Sequence, residues 1–279
     1  MKKIFLIGFV LFFFFVFAAC EEPADDNNNE INVEGEFREN IFVRVQGGTF
    51  LMGSPDVEGR HNERPQRSVT VSSFYMSRFP ITQREWREVM GTNRSTFRGD
   101  NLPVETISWI EAARFANALS IREGRTPVYT ITGFNNVTRN LTANGYRLPT
   151  EAEWEFAARG GIECNQNFTY SGSNIRSEVA WYFGNRQRAG THGVGRLKPN
   201  ALGLYDMSGN VQEWVNDWYG AYAAGSQTNP NGPGDAGGRS RVLRGGSWAS
   251  SEDNIRVAAR DNIYPIFLGG SIGFRLVRP

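Results

Sequence analysis

Three short patterns in the first part of the chain constrain its fold more than any other feature. Thr82 is followed three residues later by Glu85, Ser108 by Glu111, and Thr150 by Glu153. A hydroxyl residue with Glu at that spacing is a capping box, in which hydroxyl and carboxylate satisfy the open amides of a helix's first turn. Ile81 is placed to pack on Trp86 across the first of these starts, and Gly91, Gly124 and Gly160 stand where the helices would stop; glycine accepts the left-handed conformation that ends a helix. Upstream, residues 41–50 alternate and carry Gly47-Gly48, and Val69 to Tyr75 reads as a strand. Beyond Gly160 the chain turns to Gly, Asn, Ser and aromatic residues with little helical period. The expected class is α+β, with helices early and a loop-rich, short-stranded remainder.

The end of the chain has its own pattern. Val242 and Leu243 lead into Gly245-Gly246, and Ile272, Phe274, Leu276 and Val277 form a second apolar segment. Two strands are expected there, with the small and mixed residues between them forming a long surface loop. Such a loop is either an irregular hairpin connection or a place for binding, because its tips vary without disturbing a core.

At the other end, Met1-Lys2-Lys3, the apolar run Ile4 to Phe17 and Ala18-Ala19-Cys20 read as a secretory signal. Cys20 after two alanines resembles the lipobox of bacterial lipoproteins, although Phe17 stands where leucine is usual. The resemblance implies cleavage before Cys20, lipidation of its thiol, and a place on the bacterial outer membrane facing the exterior. A plain signal peptide is the alternative. Residues 1–19 are then the signal and 20–40 an acidic, Asn-rich tether with too few apolar residues to fold. The folded body is expected over 41–279. Net charge is +1, so nothing points to nucleic acid. Lysine occurs only at Lys2, Lys3 and Lys198, so the cations are nearly all arginine, suited to planar, hydrogen-bonded pairing as internal braces.

Read together, GGTFLMGS (47–54), Phe79-Pro80-Ile81-Thr82, PVETISWIEAARFANAL (103–119), RLPTEAEWEFAARGG (147–161), NALGLYDMSGNVQEW (200–214), RVLRGGSW (241–248) and GFRLV (273–277) resemble the formylglycine-generating enzyme (sulfatase-modifying factor) family. The resemblance implies a C-type-lectin-like fold of that type. The family's enzymes use paired cysteines to bind copper in the segment matching 247–260, which here reads SWASSEDNIRVAAR and has none. Cys20 is assigned to lipidation and Cys164 lies far off in sequence, so soft ligands for copper are missing. The family also holds calcium in the DMSGNVQE segment, which implies Asp206, Gly209, Val211 and Glu213 as ligands of a structural Ca2+. The alternative is that Asp206 caps a turn and Glu213 pairs with an arginine.

Within the family, the chain is similar to variable proteins diversified by retroelements, and most to the Treponema-type variable lipoproteins. These vary a loop region bounded by RGGSW-like and GFR-like segments. Adenine-directed change at AAY codons cannot yield Lys, Gln, Glu, Met or Trp, and between Ala249 and Ser271 only Glu252 is of those types. The implied ligand-binding residues are Ala249, Ser250, Ser251, Asn254, Ala259, Asp261, Asn262, Ile263, Tyr264, Ile266, Phe267, Gly269, Gly270 and Ser271. Tyr264, Ile266 and Phe267 are the expected apolar anchors, unless they are core beneath the loop; Arg256, Arg260 and Pro265 are expected framework. The expected function is non-catalytic binding of an external ligand, a protein or another cell-surface molecule. The competing reading is a lipoprotein enzyme of this fold with unidentified chemistry.

Overall fold

A computed structural model describes residues 41–279 apart from 56, 133–135, 141, 187–188 and 235–238. The signal, Cys20 and the tether lie outside the described residues. All three capping boxes form. Helices α1 (Gln83–Met90), α2 (Trp109–Arg122) and α3 (Glu151–Ala158) begin with Thr82, Ser108 and Thr150 as N-caps, each accepting from the backbone N–H of its Glu partner. The glutamates reach back to the cap amides at 2.7, 2.9 and 2.8 Å. Gly91 ends α1 at φ 74°.

Strands β1 (Phe42–Val45) and β4 (Phe74–Ser77) form one antiparallel pair; β2 (Gly48–Met52) and β3 (Arg67–Val71) form another. The strand expected over 69–75 is thus two strands, β3 and β4, which belong to different sheets. The 129–139 hairpin gives β5 (Tyr129–Thr132) and β6 (Asn136–Arg139), followed after α3 by a single helical turn, α4 (Arg176–Val179). Then come β7 (Ala180–Trp181), β8 (Ser208–Gly209), β9 (Gln212–Trp218), β10 (Gln227–Thr228), β11 (Arg241–Arg244), β12 (Arg260–Ile263), β13 (Ile272–Phe274) and β14 (Val277–Arg278). The central sheet has the order β12-β11-β9-β13, with β13 parallel to β9.

Strand β9 is buried on both faces, which is why QEWVNDW shows no clean alternation. Trp214 joins a core with Trp86, Trp109, Phe115 and Phe274 beside α2. Val215 joins a second with Met52, Trp154, Phe156 and Val277 beside α3. The three most deeply buried indoles are satisfied: Trp109 Nε1 donates to Val215 O, Trp214 Nε1 to Ile107 O and Trp154 Nε1 to Glu213 Oε2, as buried N–H groups require.

Two features depart from the expectation. The apolar segment at the end is not one strand: β13 and β14 belong to different sheets, and Arg275 between them turns inward to the Glu213 carboxylate. The long loop also contains a strand. Arg260–Ile263 pairs antiparallel with Arg244–Arg241, although RDNI has weak strand character by itself. Register with β11 and the Arg260–Glu151 pair at 2.7 Å fix it in place.

Candidate functional site

The segment from Ser247 to Ser271 is held from below and leaves many side chains outside. Gly245 and Gly246 turn the chain out of β11 at φ 87° and 63°, and a Cβ on Gly246 would meet Asn254 O at 2.7 Å. Buried Arg244 then gathers the returning strand: its guanidinium donates to the carbonyls of Val257, Ala258 and Ala259 and pairs with Glu155. Arg256 forms a two-point pair with Glu63 at 2.6 and 3.0 Å, and Arg260 another with Glu151 at 2.7 and 2.8 Å. Arg256 and Arg260 thus brace the loop from within, and Arg244, not among the framework residues expected, does so too.

Beyond β12 the loop crosses from one edge of the central sheet to the other. It is tied down by Trp109 N to Pro265 O and Thr106 N to Gly269 O, both 3.0 Å, and by Gln212 N to Ser271 O at 2.8 Å. The start of α2 therefore clamps the loop by its backbone, leaving side chains free to differ. The two halves meet at Trp248, whose Nε1 donates to Gly270 O at 3.2 Å and whose ring packs edge-on against Phe97.

On this frame Ala249, Ser251, Asp261, Tyr264, Ile266 and Phe267 are exposed, and Ser250, Asn254, Asn262, Ile263, Gly269, Gly270 and Ser271 are partly so. Tyr264, Ile266 and Phe267 are 60%, 62% and 43% exposed, so they are not core. Ala259 departs from the expectation. It is 3% exposed, in the turn whose carbonyls Arg244 holds, and can present nothing to a ligand. Ile263 leans inward and packs partly on the core beside α2. Two exposed apolar side chains at this face were not anticipated. Leu268, 45% exposed, continues the run from Ile266 and was legible there. Phe183, 59% exposed, is brought alongside by its N–H to Ser250 O at 3.0 Å, across a gap no sequence pattern marks.

The implied calcium ligands have a different occupation. Asp206 sits at φ 56°, with Oδ2 accepting from Gly195 N and Oδ1 from Asn210 Nδ2. Burial pushes its carboxyl up to about 6. Glu213 is 0% exposed; both oxygens accept from Arg275, and Oε2 also from Trp154 Nε1. All four carboxylate oxygens thus already accept from N–H groups. The two carboxylates are satisfied as a turn cap and an arginine pair. Among the described residues no group of three His, Cys, Asp or Glu is arranged to hold a metal.

A body of small sheets and capped helices, with an arginine-braced loop across one end of the central sheet, defines a class of protein that the comparisons identify. The chain belongs to the sulfatase-modifying factor enzyme 1-like family, whose domain model matches residues 28–279. Its fold is similar to that of Treponema denticola variable protein 1, with a TM-score of 0.78 and 33% identity over 85% of this chain and 95% of that one. It is also similar to chaperone protein LppX of Paenibacillus barcinonensis, 38% identical over 85% of this chain and 89% of that protein. The inactive C-alpha-formylglycine-generating enzyme 2 of Bos taurus is 31% identical over 84% of this chain and 86% of its own.

Proposed function

We propose that this protein is a surface-displayed lipoprotein that binds an external protein or cell-surface ligand without catalysis, through a diversified face between residues 249 and 271. The observation that carries the reading is the run Tyr264, Ile266, Phe267 and Leu268, all exposed, on a loop whose backbone is clamped at Pro265 and Gly269. Exposed apolar clusters of this kind mark interaction sites, and rigid aromatic anchors with polar neighbours are how binding loops gain affinity. The likeness to a Treponema variable protein and to an inactive relative supports it.

The DNA tests it. Clones of the gene should differ mainly at codons for the outward residues, leaving Arg244, Arg256 and Arg260 fixed, with a near-copy of the 3′ end nearby. Differences spread evenly along the gene, with no such copy, would overturn diversification. Purified protein with copper and a cysteine-bearing sulfatase peptide should form no formylglycine; detecting the aldehyde by mass spectrometry would overturn the non-catalytic part. A second reading, that the apolar loop holds non-native chains, draws on the relative named a chaperone protein. Suppression of aggregation of a reduced, unfolded protein would favour it.

A further inference from the structure

A cleft of about 440 Å³ lies between β3, the first turn of α3, the end of β9 and the 220–233 segment, and none of the candidate variable residues lines it. Its walls include Met52, Ala152, Ala221 and Pro233. Two charged side chains in it form no direct ion pair among the described residues, although Glu151 and Glu155 act on the first from nearby and Arg139 on the second. Arg67, 8% exposed, lies over the Tyr222 ring at 3.6 Å, and its Nε and Nη1 have no hydrogen-bond partner. Asp217, 3% exposed, uses Oδ2 to accept from Glu151 N at 3.0 Å, the one side-chain hydrogen bond it makes among the described residues. The acid between them is already occupied: Glu151 accepts from Arg260 Nε and Nη2 and from the Tyr222 hydroxyl.

A buried cation and a buried acid without a direct ion pair are each unfavourable. They do not pair directly: one lies over the Tyr222 ring and the other accepts from the α3 amide. A ligand carrying both signs would satisfy both, whereas a simple anion or cation would satisfy one. We propose that this cleft binds a free amino acid with an apolar side chain. Its carboxylate would lie on Arg67, its ammonium on Asp217, and its side chain against Met52, Ala152 and Pro233. The volume is within the usual range for small-molecule sites.

The ammonium would be linked to a proton. Burial, then the Glu151 charge, pushes the Asp217 carboxyl up to about 7; Glu153 acts in the same direction, while the Glu151 amide and Arg139 oppose it. Arg67, Arg260 and Tyr222 are the other charged or titratable groups facing the cleft. Affinity should therefore weaken as pH falls below 7, by up to roughly tenfold per unit.

Calorimetry and thermal melting of the purified protein at pH 8 with L-leucine, L-methionine, L-valine and L-phenylalanine, each separately, test the proposal. The half-ligands 3-methylbutylamine and 4-methylpentanoate serve as comparisons for leucine. At least one amino acid should raise the melting midpoint, and leucine should bind about tenfold or more tighter than either half-ligand. Asp217→Asn keeps an oxygen for the Glu151 amide, so the fold should hold while amino-acid affinity falls about tenfold or more; Arg67→Met should do the same. Absence of binding by all four at millimolar concentration overturns the proposal. So does equal binding of leucine and 4-methylpentanoate, or unchanged affinity in Asp217→Asn, which decides the matter if Arg67→Met fails to fold.

Discussion

Replacing Glu213 with alanine removes a carboxylate from a place where neither it nor its partner is exposed. Arg275 is 0% exposed and donates to both Glu213 oxygens as well as to the carbonyls of Ser77, Arg78 and Tyr205. The carbonyls would remain but the countercharge would not, and a guanidinium cannot shed its proton. Breaking a buried pair this way costs about 3–5 kcal/mol. Trp154 Nε1 would lose its 2.7 Å acceptor, adding roughly 1–3 kcal/mol. Against a total stability of about 5–15 kcal/mol, Glu213→Ala should be close to the limit of folding. Arg275→Met likewise leaves Glu213 buried without its countercharge, a loss of similar size, about 3–5 kcal/mol. Urea unfolding followed by tryptophan fluorescence, extrapolated linearly, measures both, since Trp154 and Trp214 flank the pair. The same experiment with a chelator separates this pair from a calcium site: the midpoint of the unmutated protein should not move. A loss below about 1 kcal/mol in Glu213→Ala, or a chelator-sensitive midpoint, would refute the reasoning.

Exchange of Tyr264, Ile266 and Phe267 together for serine should cost far less than the roughly 3–5 kcal/mol of one buried aromatic cut to alanine, because all three are exposed; a drop of that size in urea unfolding would return them to the core. Asp217 and Asp206 are raised by burial to about 7 and about 6. The folded state therefore holds protons that the unfolded chain, near 3.9, has released, and these groups make stability fall as pH rises from about 4 to about 7. Asp217→Asn should accordingly raise the melting midpoint at pH 8 and change it little at pH 4; the opposite order would show that the carboxylate is stabilised in the fold. Cys20→Ala should abolish palmitate labelling and release the protein from membranes, and unchanged labelling would remove the anchor.

The sequence alone determined the features set by neighbours along the chain. A capping box needs residues three apart, so Thr82, Ser108 and Thr150 announced their helices and the structure forms all three. The family pattern carried the lectin-like frame, and the near-absence of lysine pointed to arginines as braces. Which acid each arginine meets was decided by tertiary structure. Arg275 finds Glu213 across 62 residues, Arg260 finds Glu151 across 109 and Arg256 finds Glu63 across 193, and no local pattern encodes such distances. The same limit explains the departure at Ala259 and the pairing of Glu213. Ala259 sits in a window of outward residues, and only the Arg244 guanidinium beneath it shows that it faces inward. Glu213 lies in a segment that resembles a calcium loop, and only the fold shows that Arg275, arriving from the far end of the chain, pairs with it.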